Sequence, residues 1–316
     1  MTEAQLRFWN LAHQRTARLQ PDVSAALLRV FATIRDSLNE AELTRMIAVG
    51  SIEAVIAAAL SVPFLERAVI PFRVQLRKVV ERGFLYAVRD LPKAGKVDGT
   101  LAVSFDHLSP HVIEAVKQLD TRVVTSLKDE VRETVRAAIQ KGLEDGKAPR
   151  SVARGIRDAI GLGKTQAQEV LNFRDALEGK NGRTLSDYAL RNKRLDAMLK
   201  KGPLTAEQVE RYTEVYRKAR IANNANVVSR TATLDAYKLG QKLSWQDAED
   251  KGVIPEGFQV MRQWIGMKDD RERPEHWLMN DEVVPADDNY SSGQSFAGEG
   301  DYGCRCLDRY FLARAA

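Results

Sequence analysis

The strongest hydrophobic pattern in the chain runs from His111 to Leu143. Val112, Val116, Leu119, Val123, Leu127, Val131, Val135, Ile139 and Leu143 recur at spacings of three and four, which lines them along one face of an α-helix. Lys117, Lys128, Arg132, Glu133 and Arg136 fall elsewhere on its circumference. At ~1.5 Å per residue this helix is about 50 Å long. An element of that length either spans a domain or offers its stripe to a partner chain. Gly142 and Gly146 mark its end, and Pro149 bars continuation.

The first ninety residues also read as helix. Asn39 with Glu42 three positions later is a capping-box-like start. Ala, Leu and Ile dominate through Leu60, Pro63 and Pro71 break or kink the pattern, and a second run covers Phe72 to Arg89. Leu91 to Pro110 carries Pro92, Gly95, Gly99 and Pro110 around a short strand-like run, Thr100 to Phe105, and reads as a linker. Past the long helix come helices near Val152 to Ile160 and Lys164 to Leu177, a polar stretch, and a helix near Thr205 to Gly240. Helical periodicity then stops, and short strands are expected around Gln259 to Ile265 and Asp281 to Val284. The predicted class is α+β, predominantly α-helical. Its predicted parts are an N-terminal helical region (1–92), a linker (93–110), a helical middle region (111–240) and a compact C-terminal region with antiparallel strands (241–316).

Composition changes this picture little. The 316 residues are 44% hydrophobic and 29% charged, which excludes a wholly disordered chain or a collagen. Charge distribution says more. Arg150 to Arg220 holds 16 basic and 9 acidic residues, a net +7, whereas Trp245 to Asp301 holds 5 and 14, a net −9. Opposite fields suit two different surfaces or partners, or two ordinary solvated faces. The first twenty residues are polar, so no signal peptide is expected. The longest apolar run, Ala54 to Leu65, is closed by Glu53 and Glu66 and falls short of the ~20 residues that cross a bilayer, so no membrane anchor is expected.

Three segments carry candidate chemistry. Gly161-Leu162-Gly163 with Lys164 and Arg157 has the form of a helix-hairpin-helix corner, whose backbone N–H groups can hold a nucleic-acid phosphate without reading sequence. A plain packing corner uses the same two glycines. The only two cysteines are Cys304 and Cys306, with His276 upstream. These three can share a structural zinc ion, with Asp270 or another carboxylate as fourth ligand, although zinc cysteines are usually spaced more widely. Two small buried thiols in a compact loop explain them equally. In the run from Trp264 to His276, His276 can act as a general base oriented by Asp269 or Asp270. The competing reading is a structural knot, with carboxylates paired to Arg271 and Arg273 over a packed Trp264 and His276. No Gly-x-Ser-x-Gly and no His-Glu-x-x-His accompanies them.

These residues occur in a particular order: Ser104-Phe105-Asp106 before the long helix, a Gly-rich helix corner, and Arg220-Ile-Ala leading to Thr231, Ala236, Tyr237 and Gly240. Trp264, Asp270, Arg271, Arg273, His276 and Cys304-Arg305-Cys306 complete it. The combination resembles the phage Mu F-like head morphogenesis family of minor capsid, or minor head, proteins, over about two-thirds of the chain. Thr231-Ala232 stands where members often carry Thr-Glu, and Gly303 where Asn often precedes Cys-Arg-Cys. The resemblance implies a non-enzymatic virion protein of the head, near the portal, which acts in the host cytoplasm during assembly. Its implied partners are the portal protein, the major capsid or scaffolding protein, and double-stranded DNA. Docking is expected through apolar stripes such as that of the long helix. Two alternatives stand beside it: a DNA-binding protein packaged in the head and ejected with the genome, and a zinc-dependent hydrolase built on His276 and the cysteines.

Overall fold

A computed structural model describes residues 1–59, 61–89, 91, 96–97, 100–101, 105–106, 109–200, 202–299 and 301–315. In chain order the helices are α1 (Glu3–Ser37), α2 (Glu40–Ala48), α3 (Ile52–Ala59), α4 (Val62–Ala68), α5 (Ile70–Val88), α6 (Pro110–Glu144), α7 (Pro149–Ala159), α8 (Lys164–Leu177), α9 (Arg194–Leu199), α10 (Ala206–Asp250) and α11 (Pro274–Met279). The strands are β1 (Lys96–Val97), β2 (Thr100–Leu101), β3 (Phe258–Ile265), β4 (Val283–Pro285) and β5 (Leu307–Arg314). The class is α+β and mostly α, as the periodicity predicts.

Local chemistry accounts for several boundaries. The Asn39 side chain accepts the backbone N–H groups of Ala41 and Glu42 and so caps α2. Pro63 and Pro71 sit in the first turns of α4 and α5, where a missing N–H leaves no hydrogen bond unmade. The helix expected to stop at Gly240 runs on to Asp250. Gly240 is a contact residue and not a terminator: a Cβ there would collide with the Val80 carbonyl oxygen and lie 2.7 Å from the Phe84 nitrogen. On the facing helix, a Cβ on Gly83 would collide with the Tyr237 carbonyl. The two glycines let the backbones of α5 and α10 touch. Of the strand-like run at 100–105, Thr100–Leu101 pairs antiparallel with Lys96–Val97, and residues 102–104, Ser104 among them, lie outside the described residues.

The chain forms two compact units. One comprises residues 1–25, 72–122 and 227–316, and the other residues 26–71 and 123–226. This differs from the linear division at 92, 110 and 240, because α1, α6 and α10 each contribute to both units. A boundary read from Pro- and Gly-rich linkers cannot register that distant segments share a core.

In the first unit the sheet order is β4-β3-β5, all antiparallel. Met261 faces Pro285 on one side and Phe311 on the other. Alternate residues of β3, Val260, Arg262 and Trp264, are buried. Trp264 joins Met279, Tyr290, Ala297, Cys304 and Cys306 in one core, and Val260 joins Ala87, Trp245 and Ala286 in another. The second unit centres on Leu162, Val170, Phe173, Tyr188 and Tyr216, with Phe173 stacked on Tyr216 at 4.1 Å.

The α6 stripe is spent inside the chain. Val112, Val116, Leu119, Leu127, Val131, Val135 and Ile139 are buried, and Leu143 is 53% exposed. Burying that stripe internally corrects the expectation that it docks on a partner. Among the described residues, no helix is long and apolar enough to cross a membrane.

Candidate functional site

The site lies in the first unit, on two arms of chain that leave and rejoin β3. On the first arm, β3 delivers Trp264, and Lys268 takes a left-handed conformation (φ 53°) that turns the chain. Pro274 then starts α11 and places His276 in the core, 4% exposed. A second left-handed residue, Asp281 (φ 72°), returns the chain, and its N–H donates to the Trp264 carbonyl at 3.0 Å. The second arm descends through residues 286–306 and ends in Cys304-Arg305-Cys306, after which β5 begins.

The arms meet at the imidazole. His276 Nδ1 lies 3.5 Å from Cys304 Sγ and 3.6 Å from Cys306 Sγ, and Nε2 lies 3.1 Å from Asp301 Oδ2. Asp301 is itself held by Gln294 at 3.0 Å. A carboxylate on Nε2 fixes the tautomer that carries its proton there and leaves the Nδ1 lone pair facing the sulfurs. Trp264 meets His276 edge-on, with ring centroids 5.3 Å apart. The Cys306 N–H donates to Cys304 Sγ at 3.3 Å. The Cys306 thiol, donating to the Cys304 sulfur, drives Cys304 down to about 6, with Lys238 and His276 assisting against burial. Giving that hydrogen bond, together with burial, holds Cys306 far above the ordinary thiol range. His276, Cys304 and Cys306 present ligand atoms within 4.8 Å of one another and could hold a metal. A cavity of about 230 Å³ adjoins them, lined also by Glu272, Arg273 and Tyr302.

The turn between the cysteines is braced from both sides. The Arg305 guanidinium makes a two-pronged pair with Asp269, one bond at 2.9 Å. The Arg305 carbonyl accepts the Trp9 indole N–H at 3.0 Å and lies 3.0 Å from His13 Nε2, so α1 packs on the turn. Burial pushes His13 down to about 4, against the hydrogen bond to that carbonyl. Thr231 on α10 accepts the Gly303 N–H at 2.9 Å.

The carboxylates and arginines around the imidazole differ from those of the expected knot. Asp270 is exposed, and the carboxylates of the cluster are Asp269, Glu272 and Asp301. Arg271 is 80% exposed and reaches Asp269 only loosely, at 3.9 Å. Arg273 donates to the Tyr302 carbonyl at 2.8 Å and not to a carboxylate. Which of several adjacent charges turns inward is set by the left-handed bend at Lys268, which the sequence pattern does not reveal.

Sequence reasoning also missed a second buried polar centre. Arg262 and Asp308 are fully buried and 3.9 Å apart. Asp308 accepts the Tyr290 hydroxyl at 2.8 Å and the Ala297 N–H at 3.1 Å. Arg262 donates to the Ser295 and Asp288 carbonyls and lies over the Tyr290 ring at 4.5 Å. Burial pushes the Asp308 carboxyl up, while Lys238 and Arg262 pull it down. Lys238, also buried, donates to the Ala297 carbonyl at 2.7 Å and pairs with Asp235 at 3.0 Å. The bonds to Asp288, Tyr290, Ser295 and Ala297 pin residues 288–297, the loop that backs the cysteines. The available signal was an arginine at an inward position of an alternating strand.

In the second unit the glycine corner joins α7 to α8 as expected, but its groups are committed. Gly161 packs on the Phe31 ring. The Gly161 and Leu162 carbonyls accept from Asn224 (3.1 Å) and Thr134 (2.8 Å), and the Gly163 N–H donates to Gln166 at 3.2 Å. Arg157 shares Glu40 with Arg150 and Arg154, and Lys164 is exposed. Internal packing accounts for Gly161, whereas a Cβ on Gly163 would meet only Glu130 Oε1, at 3.6 Å. Compared with known proteins, the chain matches no family model, no curated protein and no solved structure.

Proposed function

We propose that this chain is a non-enzymatic head morphogenesis protein of a tailed phage or prophage, a minor capsid protein of the Mu F-like kind. One observation carries the reading. Residues scattered through the resemblance, Trp264, His276, Cys304, Arg305 and Cys306, meet in a single buried cluster that Thr231 ties to α10. Their bonds run to one another, to the carboxylates of Asp269, Glu272 and Asp301 and to the surrounding backbone, the pattern of a brace and not of a centre that turns over substrate. In this reading the protein works in the host cytoplasm during assembly and ends in the head near the portal. Its partners are the portal and the major capsid or scaffolding protein, with packaged double-stranded DNA alongside. Docking uses exposed faces, since the α6 stripe is buried.

The test is mass spectrometry of procapsids and mature heads purified from cells that make this protein, with and without its gene. The chain is expected in both particles at a few copies each, and its loss is expected to leave malformed or unfilled heads. Normal heads that never contain the chain would refute the proposal. His276→Ala and Cys304→Ser are expected to lower the melting temperature and incorporation together. Unchanged melts with lost assembly would overturn the brace reading.

A further inference from the structure

We propose that His276 Nδ1, Cys304 Sγ and Cys306 Sγ form a zinc site, with Asp301 orienting the imidazole and Glu272 beside the fourth position. The argument is first one of dimensions. In a tetrahedral zinc centre with Zn–S ~2.3 Å and Zn–N ~2.05 Å, the nitrogen–sulfur edges are about 3.6 Å. The two observed nitrogen–sulfur separations are 3.5 and 3.6 Å, and all three donor atoms lie within 4.8 Å of one another. Both nitrogen–sulfur edges thus already have the length that a zinc ion requires.

The surroundings have the form of a metal site's outer shell. A zinc-bound histidine usually gives its other ring N–H to a carboxylate, which sets the ring and strengthens the ligand nitrogen. Asp301 stands there, 3.1 Å from Nε2, and is steadied by Gln294. Trp264 is fully buried, and its indole nitrogen has no hydrogen-bond partner among the described residues. That N–H lies beside Cys306. Glu272 Oε1 lies 3.5 Å from Cys306 Sγ, close to an oxygen–sulfur edge of the same tetrahedron, and Oε2 accepts the Lys268 N–H. A Cβ on Gly266 would collide with that carboxylate, so the glycine makes its room. Soft thiolates and an imidazole select zinc over magnesium or calcium. On binding, both sulfurs coordinate as thiolates and whatever proton they share passes to solvent; two sulfur–metal bonds and one nitrogen–metal bond form, and no electron is transferred.

The whole chain, stripped with a chelator and checked for unchanged circular dichroism, is titrated with Co2+ and then with Zn2+ against a competing chelator. One equivalent of Co2+ is expected to give the visible bands of tetrahedral cobalt and a near-ultraviolet thiolate-to-cobalt band, both erased by Zn2+. Cys306→Ser is expected to remove the thiolate band or halve it. Asp301→Asn keeps the ligand set, so it is expected to hold one metal with about 10–100-fold weaker affinity. A folded wild-type chain that yields no thiolate band overturns the proposal, as does an equal band in Cys304→Ser or Cys306→Ser. An unchanged affinity in Asp301→Asn overturns the role given to that carboxylate. If the cysteine variants do not fold, the wild-type spectrum and Asp301→Asn still decide.

Discussion

Gly240→Ala sets two opposing effects against each other. In an open helix the change from glycine to alanine stabilises by about 1 kcal/mol. In α10 the new methyl would lie 2.7 Å from the Phe84 nitrogen and 3.0 Å from the Gly83 Cα, with the Val80 carbonyl oxygen closer still. All three neighbours are backbone, so no side-chain rotation relieves the clash. Restoring ordinary contact asks α5 and α10 to part by roughly 1 Å, and a gap of that size forfeits a quarter to a half of the dispersion energy of the facing atoms. Val80, Phe84 and Tyr237 are buried at this crossing. Overpacking of this kind costs up to about 3 kcal/mol, which exceeds the propensity gain and leaves a net loss near 2 kcal/mol. At ~2–4 °C per kcal/mol, the transition of this unit falls by about 4–8 °C. All four tryptophans, Trp9, Trp245, Trp264 and Trp277, belong to this unit, so intrinsic fluorescence follows its unfolding alone. Gly83→Ala opens the same crossing, and the double variant is expected to lose less than the sum of the two. Gly155→Ala in α7, in the second unit, is the control read by far-ultraviolet circular dichroism: a Cβ there meets nothing within 4 Å and should stabilise that unit by about 0.5–1 kcal/mol. A Gly240→Ala protein whose fluorescence transition lies at or above that of the wild type would refute the reasoning.

Three further outcomes are expected. His13 is held neutral down to about 4, against 6.5 for the free side chain. The unfolded chain therefore binds a proton between those values that the folded chain refuses, and stability present above pH 6.5 is lost as pH falls, by about 3 kcal/mol. His13→Gln should flatten that slope in urea melts, and an unaltered slope would remove the assignment. Arg262→Met leaves Asp308 buried without its partner and should cost about 3–5 kcal/mol, much of it recovered by adding Asp308→Asn; a loss below about 1 kcal/mol contradicts the pairing. Asn39→Ala should cost about 1 kcal/mol by far-ultraviolet circular dichroism, while Asn39→Ser stays near wild type.

Elements set by local rules were legible in the sequence. α6 follows the 111–143 stripe, α8 spans Lys164–Leu177 as its periodicity predicts, and Asn39 caps α2. Failures came where tertiary contact overrode a local signal. Gly240 reads as a helix end by itself and is understood only with Val80 and Phe84 beside it. β5 carries no turn signal or clean alternation that sets it apart, and it pairs along β3 from Phe258–Arg314 to Ile265–Leu307. At the site, Trp264, His276 and the two cysteines were legible as residue types. Their acids were not, because Asp269, Asp270, Glu272 and Asp301 are alike in sequence and differ only in which way the chain presents them.

β3 is the middle strand of its sheet, and one whole edge of it is closed by residues 307–314. Trp9 and His13 rest on the carbonyl of Arg305, 296 and 292 residues further along the chain. During translation the early helix and the central strand must wait on the ribosome, apolar faces open, until the last of these residues emerges. Cells that make this protein quickly therefore need chaperone cover for these faces until residues 307–314 are made.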